Sequence, residues 1–189
     1  MGSLNGALSY TLFGFLNVYM SKYLGLAPAA AMQYNLLGLF FFMFGSPLAG
    51  YFFDKVGGHK AMIIAGSAVL IGAYPAFFLL QTLNPFLILL GQSLLGILVA
   101  SIAGSGHGYM QTLFPTQARY RGVSINFCLG MAACGGTAPL LMTYLLEVRQ
   151  ASLYAPAFYL MLLAAAFILC LSVFSQKKVH GGKMLTSAT

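Results

Sequence analysis

Apolar residues occur in this chain in long, nearly unbroken blocks. The blocks fall at 4–24, 30–53, 61–80, 86–108, 122–146 and 153–174. A bilayer core about 30 Å thick is crossed by about 20 residues of α-helix, so the pattern predicts an all-α membrane protein with six transmembrane helices. Helices are required because hydrocarbon offers no partner to open backbone groups. The residue-by-residue alternation of a membrane β-barrel is absent. The breaks carry turn chemistry: Pro28, "DKVGGHK" at 54–60, the Asn84–Pro85 pair, "LFPTQARYR" from Leu113 and "EVRQAS" from Glu147.

Lysine and arginine in the connections set orientation. Six spans put both termini on one side, and that side holds Lys55, Lys60, Arg119, Arg121, Lys177, Lys178 and Lys183. The other holds Lys22 and Arg149. Seven against two places both termini in the cytoplasm, with 175–189 as a polar, basic cytoplasmic tail. That tail is expected to be unstructured, with its lysines drawn to anionic headgroups.

Polar residues are distributed unevenly over the six blocks. The third and sixth carry Ser67 and Ser172 alone among Asn, Gln, Ser, Thr and His. The first, second, fourth and fifth carry Asn5, Asn17, Gln33, Asn35, Gln92, Ser101 and Asn126 among others. Amides in hydrocarbon are costly unless they face a partner or water. The first, second, fourth and fifth spans are therefore expected to line a wet pathway, with the third and sixth facing lipid. The recurrence at every third span predicts a 3+3 inverted repeat of the kind transporters use. Tyr10, Gly14 and Asn17 share one helical face, and Tyr10, Asn17, Gln33, Asn35, Gln92, Ser101 and Asn126 form the candidate substrate pathway. The series Gly96, Ala100, Gly104 and Gly108 is spaced for close helix contact.

Composition narrows the function classes. Sixty per cent of residues are hydrophobic and 6% charged, with mean hydropathy +0.87, where a soluble domain carries about 25% charged residues. The net charge of +7 sits at the ends of apolar runs and forms no basic face, which argues against nucleic acid. Cys128, Cys134 and Cys170 lie inside apolar stretches with no metal or redox spacing and are expected to be buried spectators; no cofactor or metal is indicated. The first residues have neither the basic start of a secretory signal nor a myristoylation pattern. No span holds an acid, a metal-ligand set or a nucleophile–base pair, which argues against an intramembrane enzyme. The paired half-helices and carbonyl filters of familiar channels are missing.

The charged break after the second span, "GYFFDKVGGHK", puts Asp54 at a helix C-terminus, where a carboxylate is disfavoured unless a cation neutralises it. Arg119 or Arg121 of the other loop on that side is the candidate partner. With Gly50, Lys55, Gly57 and Lys60 they make a candidate cytoplasmic gate. Gly50 is read as allowing close helix approach.

The pattern Gly50, Asp54, Lys55, Gly57 resembles the loop signature of the major facilitator superfamily. "LFPTQARYRG" and "GGTAPL" resemble that superfamily's metabolite–proton symporter branch, which includes proline/betaine carriers. Leu113, Phe114, Pro115, Thr116, Arg119, Tyr120, Gly122 and Gly135 through Pro139 carry this second match. Thr112 stands where members commonly have Glu, and Gly58 where a basic residue is usual. The resemblance implies the C-terminal six helices of a twelve-helix secondary transporter in a bacterial inner membrane, working by alternating access on a small polar solute and protons. It makes "LFPTQARYRG" the turn between two helices and "GGTAP" a small-residue break within the second. No span here offers an acid as proton relay, which fits a half that leaves proton coupling to the other. The expected partners are the bilayer, the solute and either a second copy or a separate N-terminal half. An inactive product of a split carrier gene and a passive six-helix channel are the alternatives.

Overall fold

The computed structural model describes residues 1–148 and 152–186, and they are helical apart from short turns. Arg149, counted above on the less basic side, lies outside the described residues, as do 150–151 and the last three of the tail.

Helix α1, residues 2–23, is helical throughout but not uniform. It is α-helical over Gly2–Tyr10 and Leu16–Val18 and π-wound over Thr11–Phe15 and Tyr19–Tyr23. Helices α2 (Pro28–Val56), α3 (Gly58–Gln81), α4 (Pro85–Thr112), α5 (Arg119–Glu147) and α6 (Ala155–Thr186) follow. In α5 the residues Met131–Gly135 are π-wound. Five helices, α2 to α6, are long and apolar enough to cross a membrane. Helix α6 continues to Thr186, through most of the stretch whose polar composition predicts an unstructured tail. Helix formation once started adds a backbone hydrogen bond per residue, and the glycines at 181 and 182 do not stop it.

The turns follow from local chemistry. Asn84 caps α4 by accepting from the Phe86 amide at 3.0 Å, and Pro85 occupies the first turn, where its missing N–H costs nothing. Gly57 joins α2 to α3 with φ +91°, a conformation that L side chains rarely adopt. The loop signature's second glycine is thus a backbone requirement.

Packing places α4 at the centre. Of its most apolar window 56% is buried, against 39% in α3, 33% in α6, 17% in α5 and 6% in α2. Helices α2 and α3 flank α4, α6 packs behind α3, and α1 packs along α5. The α2–α4 seam is built from small residues. A side chain on Gly96 would overlap the Gly38 carbonyl, and Gly45 faces Ala100, so the series from Gly96 to Gly104 does lie at a close helix contact. On the other seam the backbones of Gly6 and Gly135 meet directly.

Two expectations change. Helix α4 is the most buried of these five long apolar helices and not part of an open wall, because its glycine face draws α2 close. The two most exposed of the five are α2 and α5. Gly50 has room: a Cβ there would meet only the Gly104 carbonyl at 3.7 Å, so close packing does not call for it. In addition, Cys128 and Cys170 lie exposed on the outside of the bundle, where a thiol in an apolar run meets lipid as readily as core.

Candidate functional site

Helix α1 presents one open strip. Tyr10 is exposed, Gly14 has no neighbour within 4 Å of a would-be side chain, and Asn17 and Ser21 are half-buried on the same face. Hydroxyls bond back to the backbone where the helix widens. Thr11 Oγ1 donates to the Ala7 carbonyl at 2.6 Å at the start of the first π segment, and Ser21 Oγ donates to the Asn17 carbonyl at 2.8 Å in the second. Such back-bonding competes with the helical ladder, and single-turn π segments recur at functional sites in helices. Helix α5 widens at Met131–Gly135, opposite Gly6 of α1. Both partners of this seam therefore depart from regular α-helix.

Behind the strip lie amide oxygens without partners. Gln92 is fully buried; its Nε2 donates to Met20 Sδ at 3.3 Å, and its Oε1 has no partner. The Oδ1 atoms of Asn35, Asn17 and Asn5 are likewise buried and unpaired. Asn35 is one turn before Gly38 on α2, and a Cβ on Gly38 would meet Gln92 Oε1 at 3.0 Å. Asn35 and Gln92 therefore share the α1–α2–α4 junction. A buried polar group left unsatisfied costs about 1–3 kcal/mol, so these oxygens are available acceptors inside the bundle.

The other predicted pathway residues are dispersed. Gln33 is on the exposed face of α2. Asn126 is half-buried with its carbonyl against Gly2, about 22 Å along α1 from Asn17 at 1.5 Å per residue. Ser101 lines an apolar groove between α2 and α3, and its hydroxyl donates to the Leu98 carbonyl at 2.7 Å.

At the Asp54 end of the bundle the expected latch is open. Asp54, Arg119 and Arg121 are all exposed, and Asp54 forms no ion pair with either arginine. Lys55 instead lies over the Tyr51 ring, 4.7 Å from its centroid, and Lys60 is exposed. Contacts of another kind hold this end together: Phe53 packs on Gly58 and Gly108, and His59 Nδ1 is 3.2 Å from the Tyr109 hydroxyl. His107, also exposed, has its ring 5.1 Å from that of Phe127. The "LFPTQARYRG" turn closes on itself, with the Phe114 ring lying on Gly122. The glycine of that motif is the seat of its phenylalanine.

The opposite end carries a cluster that the sequence reading missed. Lys22 pairs with Glu147, and the Tyr23 hydroxyl donates to Glu147 Oε1 at 2.8 Å. This is the one ion pair among the described residues, and it clamps α1 to α5. Beside it the buried Tyr19 hydroxyl donates to the Leu153 carbonyl at 2.9 Å and accepts from Gln81 Nε2 at 3.1 Å. That bridge joins α1 to α3 and to the start of α6. The available signal was position: a polar-tipped aromatic near the end of an apolar run finds a partner when buried.

These features define a polytopic helical membrane protein with unpaired acceptor oxygens inside its bundle and charged groups at its two ends. A family model described as Major Facilitator Superfamily matches residues 1–184, and the chain belongs to that superfamily. Among curated relatives it is 28% identical over 175 residues to the ectoine/proline transporter ProP of Corynebacterium glutamicum, covering 91% of this chain and 34% of that protein. A putative proline/betaine transporter of Staphylococcus haemolyticus is 34% identical over 117 residues, 60% of this chain and 25% of the relative. The glycine betaine/proline/ectoine/pipecolic acid transporter OusA of Dickeya dadantii is 29% identical over 158 residues, 82% and 31%. The chain thus spans about a third or less of the relatives it matches. No solved structure matches it.

Proposed function

We propose that this chain is the C-terminal half, or a truncated form, of a secondary transporter for a small polar metabolite of the proline/betaine class, working by alternating access in the bacterial cytoplasmic membrane. The observation that carries this is the superfamily match over residues 1–184, with relatives named for proline, betaine or ectoine transport. Bacterial sources for those relatives support the location. Helix α1 is the sixth span: its 22 residues in the range 2–23 reach about 33 Å at 1.5 Å each, and its π-wound turns leave the segment helical throughout. The helix pairing supports the 3+3 inverted repeat. Exchanging α1 with α4, α2 with α5 and α3 with α6 carries the α2–α4 seam onto the α5–α1 seam. Both termini then lie on the cytoplasmic side with Lys55, Lys60, Arg119 and Arg121.

In this reading the strip of Tyr10, Asn17 and Ser21, with Gln33 of α2 and Asn126 of α5, forms one wall of the solute pathway. The free oxygens of Asn17, Asn35 and Gln92 present negative dipoles to a cationic solute group, accepting hydrogen bonds from the N–H of a proline-type secondary ammonium and facing a betaine-type quaternary ammonium, which has no N–H, through charge alone. Alternating access needs two states, and the two ends supply candidates. The Lys22–Glu147–Tyr23 clamp is closed, and the Asp54 gate with Arg119 and Arg121 is open. The exposure of α2 and α5 is the surface against which an N-terminal half packs, and that half brings the proton-coupling acid.

The test is uptake of labelled proline and betaine into proteoliposomes, with and without an inward proton gradient. The chain alone is expected to give background flux. The chain reconstituted with the N-terminal six helices of a proline/betaine carrier is expected to give gradient-dependent uptake that Asn17→Leu reduces at least tenfold. Flux through the chain alone that follows only the solute gradient would overturn the half-carrier in favour of a channel. Gradient-driven uptake by the chain alone would replace the missing half with a second copy.

A further inference from the structure

One large cavity in the bundle belongs to neither the wall nor the gate. It is a groove of about 570 Å³ between α2 and α3, floored by α4. Phe40, Phe44, Leu48 and Phe52 line one side and Ile64 and Ala68 the other. Its polar floor residues, Ser101 and Ser105, direct their hydroxyls to carbonyls of their own helix, Leu98 and Ser101. Nothing in the groove is left to recognise a polar solute.

Three observations say what fits it. The groove is elongated: from Phe40 to Phe52 it follows α2 for about 18 Å at 1.5 Å per residue. One leaflet of a bilayer core about 30 Å thick is about 15 Å deep. The groove also keeps to one half of the membrane. Its residues run from the middle of α2 and of α4 to their C-terminal halves and occupy the N-terminal half of α3, all toward the Asp54 end. Its mouth is cationic. Ala61 lines the groove and Lys60, its neighbour, is exposed and in no ion pair among the described residues. Lys55 stands across the mouth on Tyr51. Lys55, Lys60, Arg119 and Arg121 outnumber Asp54, the acid at this end.

We propose that the α2–α3 groove is a binding site for one anionic phospholipid of the adjoining leaflet, with an acyl chain laid along Phe40, Phe44, Leu48 and Phe52 and the phosphate held at Lys60. The lysine supplies the preference for a negative headgroup, as basic residues at the membrane surface do. The site depends on the chain lying in a bilayer and not on its transport activity.

The chain contains no tryptophan, so a single introduced indole reports its own surroundings. Leu48→Trp replaces an exposed groove residue, and Leu169→Trp replaces an exposed residue of α6 outside it. Each variant is reconstituted into phosphatidylcholine vesicles containing a minor fraction of chain-brominated phosphatidylglycerol or of chain-brominated phosphatidylcholine. In the Leu48→Trp variant the indole is expected to be quenched by the anionic lipid with about fivefold apparent preference, the effect of one basic residue near the headgroup. The Leu169→Trp variant is expected to show no preference. Adding Lys60→Gln to Leu48→Trp is expected to abolish the preference. Adding Ala68→Phe, which fills the groove from an exposed position, is expected to reduce quenching by both lipids. Equal quenching of the Leu48→Trp variant by the two lipids overturns the proposal. So does a groove indole that neither lipid reaches, which would mean that a second copy or another protein segment covers the groove. A preference that survives Lys60→Gln overturns the headgroup assignment. Helicity measured by circular dichroism is expected to be unchanged throughout, since every substituted position is exposed.

Discussion

At the scale of single residues, Gln92 separates structure from function more sharply than any other side chain. It is fully buried, and its one hydrogen bond goes to a thioether. A tie of that kind contributes little, while the unpaired Oε1 costs about 1–3 kcal/mol. Gln92→Met, close in shape and free of the orphan oxygen, is therefore expected to leave thermal stability unchanged or raise it, while reducing solute uptake by the assembled carrier. A melting temperature several degrees lower would make Gln92 a structural tie and remove it from the pathway. The sequence marked Gln92, Asn35 and Asn17 through the rarity of amides in apolar runs. It did not mark Tyr19, Gln81 or Glu147, because their roles rest on partners in other helices, more than 60 positions away in each case.

At the scale of helices and seams, spacing alone does not separate a glycine that is needed from one that is not. Gly96 and Gly50 both sit in small-residue patterns, yet a methyl on Gly96 would overlap the Gly38 carbonyl while one on Gly50 stays 3.7 Å from its nearest neighbour. Gly96→Ala is expected to push α2 from α4 and cost about 1–3 kcal/mol, the range for overpacked sites. Gly50→Ala is expected to fall within about 0.5 kcal/mol of the parent. Thermal unfolding in detergent checks both; equal effects would mean that the α2–α4 seam is not formed as described. Gly57→Ala is expected to cost about 1–2 kcal/mol for a different reason, the left-handed backbone at φ +91°.

At the scale of the whole molecule, the question is which outer surfaces are wet. Cys128 on α5 and Cys170 on α6 are both exposed, but in the half-carrier only the α5 face borders an aqueous pathway. The thiolate is the reactive form of cysteine and forms in water, not in hydrocarbon. In vesicles a membrane-permeant maleimide is therefore expected to alkylate Cys128 at least tenfold faster than Cys170, and an added N-terminal half to slow the reaction at Cys128 alone. Equal, slow labelling at both sites would place α5 in lipid and remove it from the wall.

By itself, the sequence determined the class of this protein, because the length and apolarity of its runs follow from bilayer thickness and the lack of hydrogen-bond partners in hydrocarbon. It also marked the two motifs whose glycines turn out to serve a left-handed turn at Gly57 and a ring seat at Gly122. Only the tertiary structure decided which of the long apolar helices lies at the centre, that Asp54 pairs with neither Arg119 nor Arg121 while Lys22 and Glu147 are paired, and where an apolar groove remains. Those features arise from which helices meet. In a membrane protein that choice rests on small-residue fit between surfaces far apart in the chain, and hydropathy carries no record of it.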